Sequence, residues 1–424
     1  MQANKQDMHS QPERISHLVL YLSAAYALLL IYGTLFPFNG WLTRDTGVWE
    51  LLMQRGIQKT SKADILTNLL VYMPFGLLLM RSLKNRSSSL QGLVLVTVVS
   101  FLLSLALEYL QTRLPGRVPS ILDLGLNTFG GFLGALIALS LSPDTMVGNR
   151  LYRLRANYIH PGASANLGLL ALGFWVLSQL SPLVPSIDVG NLRNGLKPLW
   201  YTLLSPVTLE WMRVIEYAFS ITAAGVISST LLRTRYNALF LFAGFISLVL
   251  LLKIPVIGRQ LSLEAVLGLA IGLVFTFIVY DRSLRTRLLI AVFALTGMVL
   301  ASSLHVPANA VAGYPTAFNW VPFRSHLSNN ITGLIDILGS LWPFVALAYL
   351  AWIANVRLRG LLIVAGAIGI FLIMFMLEWY QQYQPGRSPD ITDAIIATLA
   401  WLAPWFYPAL SSSNALANKA GRAY

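Results

Sequence analysis

A polar pattern that could bind a ligand or move a proton occurs twice in this apolar chain. In each copy a Glu-x-x-Gln step is followed by Pro-Gly-Arg, a second proline and an aspartate, and each shared residue recurs 270 positions later. Arginine presents a planar fork that binds phosphate or carboxylate, and paired carboxylates can serve as general acid and base. The repetition indicates a site, and it predicts that the chain arose by duplication. The shared residues are Glu108, Gln111, Arg117 and Asp123, then Glu378, Gln381, Arg387 and Asp393.

Further polar residues surround the first copy at helical spacing. Asp64 and Asn68 are four residues apart, as are Asp123 and Asn127, so each pair lies on one face of a predicted helix. Arg113 lies near Arg117 in the sequence of the predicted turn. The three helix ends that carry these residues are predicted to lie at one membrane depth. The predicted ligand-binding residues are therefore Asp64, Asn68, Glu108, Gln111, Arg113, Arg117, Asp123 and Asn127, with Glu378, Gln381, Arg387 and Asp393 from the second copy.

Structural and catalytic interpretations of these residues both stay open. Asp64 and Asp123 fall in first turns of predicted helices, where a carboxylate offsets free N–H groups, and Arg117 could simply pair with Glu108. A catalytic role would use Glu108 or Asp123 as acid or base. The chain has no activated serine motif, phosphate-binding loop or dinucleotide fingerprint. Because cysteine is absent and the five histidines are scattered, neither a metal site nor a cofactor is predicted.

The composition predicts an all-α, polytopic transmembrane helix bundle. Of 424 residues, 56% are hydrophobic and 11% are charged, against roughly 25% charged in a soluble domain. A spanning helix needs about 20 apolar residues. Twelve segments fit: 17–36, 64–83, 90–112, 122–142, 165–182, 211–232, 236–254, 262–280, 287–304, 331–353, 359–381 and 391–410.

The distribution of basic residues predicts the orientation of the helices. With both termini placed in the cytoplasm, the net charge of +13 falls on the cytoplasmic side, as the positive-inside rule requires. No basic patch interleaved with aromatic residues accompanies it, so nucleic acid is not predicted as a partner. Both Pro-Gly-Arg turns then face outward.

A weaker Gly-Arg turn at 257–264 divides the predicted chain into three four-helix modules. The modules cover 17–142, 165–280 and 287–410, with cytoplasmic tails at 1–16 and 411–424. The fourth helices of the first two modules carry Gly130-x3-Gly134 and Gly268-x3-Gly272, a spacing suited to close helix contact. The outer loops 37–63 and 305–330 carry aromatic residues that predict anchoring at the head-group level, or a cover over a binding groove.

Around these residues the chain resembles the VanZ-like family. The resemblance runs through Phe36-Pro-Phe, Asp64-x3-Asn68-x3-Tyr72-x-Pro-Phe-Gly76 and Glu108-x2-Gln111, then Arg117-x5-Asp123-x3-Asn127-x2-Gly130, and covers about 30–142. A degenerate second copy covers about 318–408, where Gly333, Ile337 and Ala397 replace the equivalents of Asp64, Asn68 and Asn127. The resemblance implies a small-bundle membrane protein of the bacterial cell envelope, associated with resistance to the glycopeptide teicoplanin or with exopolysaccharide functions.

Three functions follow as hypotheses. The first is a multi-pass protein of the bacterial cytoplasmic membrane that binds a membrane lipid, or a lipid-linked or amphiphilic ligand, at the outer leaflet without catalysis. It is preferred because the pattern supplies groups that bind anions and polyols but no identifiable nucleophile. The second is an enzyme acting on lipid-linked glycan or phospholipid through Glu108 or Asp123. The third is a transporter, although the cytoplasmic halves of the predicted helices carry few polar residues.

Overall fold

The computed structural model describes residues 6–35, 41–42, 62–83, 88–115, 120–181, 185–186, 188–233, 235–306, 316–324, 330–354 and 358–406. Within these ranges the chain forms α-helices and short 3-10 turns, with three isolated β-bridges and no strand. The all-α fold class is confirmed. The chain divides into two compact units, Met1–Arg155 and Ala156–Tyr424.

Among its described residues, the first unit contains four long helices and most of a fifth. The predicted module 17–142 falls inside it. A serine begins each of the two helices on either side of the Pro-Gly-Arg sequence, because the side chains of Ser88 and Ser120 accept hydrogen bonds from backbone N–H groups of the first turn. The helices are α1 (Gln6–Leu35), α2 (Lys62–Leu83), α3 (Ser89–Gln111), α4 (Ile121–Ser140) and α5 (Met146–Tyr158).

In the second unit the described ranges contain nine helices and two 3-10 turns. The predicted modules 165–280 and 287–410 fall inside it, and the division of the whole chain into three modules stays a prediction. Its helices are α6 (Ala163–Leu180), α7 (Val189–Leu204), α8 (Trp211–Leu231), α9 (Arg235–Leu251), α10 (Leu263–Tyr280), α11 (Leu284–Leu304), α12 (Asn330–Ile353), α13 (Arg359–Gln381) and α14 (Thr392–Leu402); the 3-10 turns are Pro206–Thr208 and Ala403–Phe406.

The twelve predicted spans all coincide with apolar helices in the part of the chain that the structure describes. Eight helices there are long and apolar enough to cross a membrane, and they correspond to α2, α3, α4, α6, α8, α10, α11 and α13. The other four predicted spans coincide with shorter apolar helices: Leu22–Leu35, Ala238–Leu251, Ile337–Ile353 and Thr392–Phe406. A multi-pass membrane helix bundle is therefore supported, and the cytoplasmic placement of the termini stays a prediction.

Glycines bring α2 and α4 into backbone contact in the first unit. A Cβ atom placed on Gly130 would lie 2.3 Å from the Leu69 carbonyl oxygen, and one on Gly134 would lie 2.0 Å from that of Met73. Because real Cβ atoms do not approach oxygen this closely, only glycine permits the observed helix spacing. The predicted close contact of the Gly-x3-Gly pair is confirmed, and it fixes the polar start of α4 beside α2.

The core of the second unit surrounds α8. Trp175 of α6 is fully buried and donates a hydrogen bond from Nε1 to Ser220 Oγ at 2.7 Å. On the other side, the hydroxyls of Tyr349 in α12 and Thr230 lie 2.8 Å apart. Gly268 and Gly272 of α10 pack against Tyr217 and Ile221 of α8, which confirms close contact at the second Gly-x3-Gly pair as well.

Two helices were not among the predicted spans. Helix α5 is rich in basic residues and α7 contains Arg193, Lys197 and Pro198, so neither is apolar enough to predict a membrane span. Of the predicted outer loop 37–63 the structure describes only 41–42 and the start of α2, and of loop 305–330 it describes 305–306, 316–324 and the first residue of α12. The anchoring or covering role predicted for these loops stays a prediction.

Candidate functional site

The centre of the first polar cluster is a carboxylate that binds the turn after its own helix. Glu108 lies in the last turn of α3 and is 4% exposed, and its Oε2 accepts a hydrogen bond from the Ser120 backbone N–H at 2.9 Å. Ser120 is the N-cap of α4, and its own hydroxyl accepts from the N–H groups of Leu122 and Asp123. The glutamate therefore fixes the residue from which α4 starts.

The aspartate of the first copy is held by the neighbouring helix. Asn68 of α2 donates from Nδ2 to Oδ1 of Asp123 at 2.6 Å, so the two residues predicted on separate helices meet. The cap of α4 is Ser120, and Asp123 instead faces α2 from the first turn. Its charge is near enough to interact with that of Glu108. The two candidate carboxylates thus belong to one cluster.

A second layer of polar groups lies one helical turn deeper. Asn127 of α4 is buried and donates from Nδ2 to Ser104 Oγ of α3 at 3.0 Å. Tyr72 of α2 is 3% exposed, and its hydroxyl lies near Ser104 and Glu108 in the same layer.

The remaining described residues of the first copy form more peripheral contacts. Gln111 donates from Nε2 to the Thr34 carbonyl at 3.5 Å, which connects α3 to the end of α1. Arg113 donates to the hydroxyl of Tyr109 at 2.8 Å, and its guanidinium lies over that ring. Its backbone carbonyl accepts from Leu42. Arg117 and the side chain of Asp64 lie outside the residues that can be placed, so their predicted roles stay predictions.

An apolar groove of about 520 Å³ runs between α3 and α4 beside this cluster. It begins at Ile121, the residue after the N-cap, and continues past Gly125 and Phe129 on α4 and Phe101 on α3. A Cβ atom on Gly125 would have no neighbour within 4 Å, so the glycine leaves the groove open. Polar groups at the turn and an apolar groove therefore meet at the start of α4.

The second copy repeats the central contact of the first. Glu378, at the end of α13, accepts from the Asp390 backbone N–H at 3.2 Å through Oε2, and Gln381 donates to its other oxygen at 3.1 Å. Asp393 accepts from Ser340 of α12 at 3.1 Å, where the first copy uses an asparagine. Glu378 is buried, and so is Asp390, which takes the position of Ser120 in the second copy. The contact between Glu108 and Ser120 thus recurs between Glu378 and Asp390, and each partner lies 270 residues further along the chain.

The arginine of the second copy lies on the end of a helix. Arg387 donates from Nη2 to the carbonyls of Ser302 and His305, each at 2.6 Å, at the end of α11. In the weaker Gly-Arg turn, Arg259 donates in the same way to the carbonyls of Ser181 and Ser178 at the end of α6. Cations favour the negative end of a helix, so both contacts have a structural explanation. A ligand-binding role for Arg387 stays a prediction.

The sequence interpretation missed a buried charged cluster in the second unit. Lys253 is 3% exposed and donates from Nζ to the Tyr217 hydroxyl at 2.8 Å and to Gln179 Oε1 at 3.2 Å. Glu216 of α8 lies within electrostatic range of Lys253 and Arg387. A lysine directly after an apolar run, between Leu252 and Ile254, is the signal that would have found it.

A histidine just beyond α11 borders this charged cluster. His305 Nε2 lies 3.0 Å from Glu210 Oε2, and Glu210 also lies 3.9 Å from Arg213. Burial lowers the pKa of His305, an effect that Glu210 opposes and that Arg387 and Arg213 reinforce. Among the residues placed by the structure, no group of three or more His, Asp or Glu side chains could hold a metal ion.

Comparison with known families concerns the segment that carries the first cluster. The sequence model of the family described as VanZ/LLP1 matches residues 23–142. This segment is VanZ-like. The match contains α2, α3 and α4, with the contacts of Glu108, Asp123 and Asn127, and it confirms the resemblance for this part of the chain. The degenerate second copy at about 318–408 stays a prediction. No curated protein and no solved structure matches the chain significantly.

Proposed function

We propose that the protein is a VanZ-like, non-enzymatic protein of the bacterial cytoplasmic membrane that binds an amphiphilic ligand at the outer leaflet. The site consists of the polar cluster at the start of α4 and the groove between α3 and α4. The single observation that carries the proposal is their meeting at Ser120 and Ile121, where a carboxylate-bound turn borders an apolar groove of about 520 Å³. An amphiphile needs a polar environment for its head group and an apolar environment for its chain.

The chemistry of the cluster favours a head group with hydroxyl and anionic groups. Carboxylates and amides from Glu108, Asp123 and Asn68 suit the hydroxyls of a sugar or polyol, and the buried Tyr72 hydroxyl offers a further donor. Arg113 and Arg117 would supply the contacts to phosphate or carboxylate. The proposed ligands are therefore lipid-linked glycans, glycolipids and lipoglycopeptides. A role in glycopeptide resistance or envelope biogenesis comes from the family resemblance alone.

Filling the groove tests this proposal without touching the polar cluster. Gly125→Leu adds a side chain where nothing lies within 4 Å, so the helix should tolerate it. Gly369→Leu, in α13, makes the same change at a glycine with equally open surroundings and serves as the matched control. Native mass spectrometry of lipids that co-purify with the full chain would then show loss of the bound amphiphile in Gly125→Leu only.

Two further results test whether the proposed site binds a lipid. Arg117→Ala should lose the same lipid species, and teicoplanin susceptibility of an expressing strain should change together with lipid retention. If Gly125→Leu, Arg117→Ala and the wild-type chain carry identical lipids, the proposed site is wrong.

The second candidate is an enzyme acting on lipid-linked glycan or phospholipid. The observation that favours it is the pairing of two carboxylates, Glu108 and Asp123, within one buried cluster. Such pairs can divide acid and base roles. Glu108→Gln separates the two candidates. An enzyme would lose turnover of the co-purified lipid while still retaining that lipid, whereas a binder would show no turnover in either form.

A further inference from the structure

A second pocket lies at the C-terminal ends of α8 and α10, whereas Glu210 and Glu264 lie at their N-terminal ends. It has a volume of about 310 Å³ and is formed where α8 and α10 end and α11 begins. The charge distribution of the chain predicts that this end lies in the cytoplasm. The pocket is thus separate from the outer-leaflet site proposed above, and its polar lining comprises Ser229, Arg233, Tyr280, Asp281, Arg282 and Arg287.

The lining carries an excess of positive charge. Three arginines, Arg233, Arg282 and Arg287, line the pocket together with one acidic residue, Asp281. Arg287 donates from Nη1 to the Ser229 hydroxyl at 3.0 Å, but its Nε is buried without a hydrogen-bond partner in the part of the chain that is described. A buried N–H of a charged group costs free energy unless an acceptor reaches it. The Nε of Arg287 is therefore a donor that an acceptor from a bound ligand would satisfy.

An apolar pocket adjoins the charged one. Leu232 lines both, and the apolar pocket, of about 220 Å³, continues from it past Leu169, Leu172, Phe242 and Phe245. Its lining includes Ser228, the neighbour of Ser229 in the charged pocket. Inorganic phosphate would use only the arginines. An acyl chain attached to a phosphate would use both compartments, so the arrangement favours a lipid.

We propose that this pocket binds an anionic phospholipid of the inner leaflet. The phosphate accepts hydrogen bonds from Arg282 and Arg287, including the unpaired Nε, and an acyl chain lies along Leu232 into the apolar compartment. Arginine binds phosphate through parallel N–H donors, and basic pockets between membrane helices on the cytoplasmic side are suited to anionic head groups.

Binding of short-chain lipids to the full chain in detergent tests the proposal. The probes are dioctanoyl phosphatidylglycerol, dioctanoyl phosphatidylcholine and inorganic phosphate. We expect phosphatidylglycerol to bind at least about tenfold more tightly than either of the others. Arg287→Gln and Arg282→Gln should each weaken that binding by about tenfold, because each removes a charged phosphate donor. Arg282 is exposed, so its substitution leaves the fold intact even if Arg287→Gln does not.

Arg285→Gln is the matched control. Arg285 lies in the first turn of α11, is exposed and does not line the pocket, yet its substitution changes the net charge by the same amount. Its phosphatidylglycerol affinity should stay within about twofold of wild type. The proposal is overturned if Arg285→Gln weakens binding as much as Arg282→Gln, if phosphatidylcholine binds equally well, or if inorganic phosphate competes at equal affinity.

Discussion

The carboxylate of Glu108 at the end of α3 accepts a hydrogen bond from the backbone N–H of Ser120, the N-cap of α4. The contact joins the last turn of one helix to the N-cap of the next. Glu378 forms the same contact with Asp390. In both places a glutamate therefore connects the end of one helix to the start of the next, and any loss of function on its removal must be separated from loss of this connection.

Substitutions at Glu108 provide that separation. Glu108→Ala leaves the N–H of Ser120 without its partner in a part-buried site, and we expect a loss of about 1–3 kcal/mol in the free energy of unfolding. Glu108→Gln retains an amide oxygen that can accept the same bond, so its loss should be about 1 kcal/mol or less. Thermal unfolding in detergent, followed by intrinsic fluorescence, measures both.

The second copy supplies the comparison for this prediction. Glu378→Ala and Glu378→Gln should show the same order of effects, since Asp390 N–H occupies the place of Ser120 N–H. An alanine variant as stable as wild type at both positions would mean that these bonds do not hold the turns.

The contact between α2 and α4 predicts sensitivity to a single methyl group. Gly130→Ala would place a Cβ atom 2.3 Å from the Leu69 carbonyl, so the helices must separate. We expect a loss of roughly 1–3 kcal/mol in the free energy of unfolding. Gly125→Ala, on the same helix, meets nothing within 4 Å and should be neutral or stabilising by up to about 1 kcal/mol, because alanine is the better helix former. Equal effects from the two variants would contradict the packing.

The arginines on helix ends predict a structural effect that can be told from ligand binding. Arg387→Lys keeps the charge, but the lysine ammonium extends less far than the Nη2 atom that donates to both the Ser302 and His305 carbonyls. We expect a loss of about 1 kcal/mol in the free energy of unfolding and unchanged lipid retention. Arg259→Lys should behave alike, since Arg259 binds Ser178 and Ser181. Loss of co-purified lipid without loss of stability would instead assign Arg387 to a ligand.

Most of the helix positions could be predicted from the sequence, because apolar length and the placement of basic residues define a membrane span almost without reference to packing. The same holds for the Gly-x3-Gly contacts. Helices α5 and α7 were not predicted because they are too polar to indicate a membrane span. The helical spacing of polar residues in the sequence was enough to place Asn68 and Asp123 at neighbouring helix ends.

The detailed contacts of the site depended on three-dimensional information. The sequence placed Asp123 in the first turn of its helix, where the structure has it, but gave no sign that Ser120 is the N-cap or that Asp123 accepts from Asn68. It placed Arg387 on an outward turn but gave no sign that a helix end lay within its reach. Lys253, whose partners come from 36 and 74 residues away, belongs to a cluster that no local spacing reveals.

His305 predicts how stability depends on pH. Its pKa is lowered in the folded protein, first by burial, with Arg387 and Arg213 acting in the same direction and Glu210 against them. The unfolded chain, with a histidine pKa of about 6.5, therefore takes up the proton first as pH falls. The stability associated with neutral His305 is complete above that pKa and is lost as pH drops through the folded value. His305→Gln should reduce the fall in melting temperature between pH 7.5 and pH 5.5.

The variant Glu210→Gln tests the same titration of His305. It removes the carboxylate 3.0 Å from the imidazole, which is the group that favours the protonated form. The pKa of His305 should then fall further, and the melting temperature should decline more steeply on acidification than in the wild type. Arg213→Gln removes a positive charge near the ring and should make the decline shallower. If His305→Gln and the wild type lose stability equally over this range, titration at His305 does not control the acid sensitivity of the second unit.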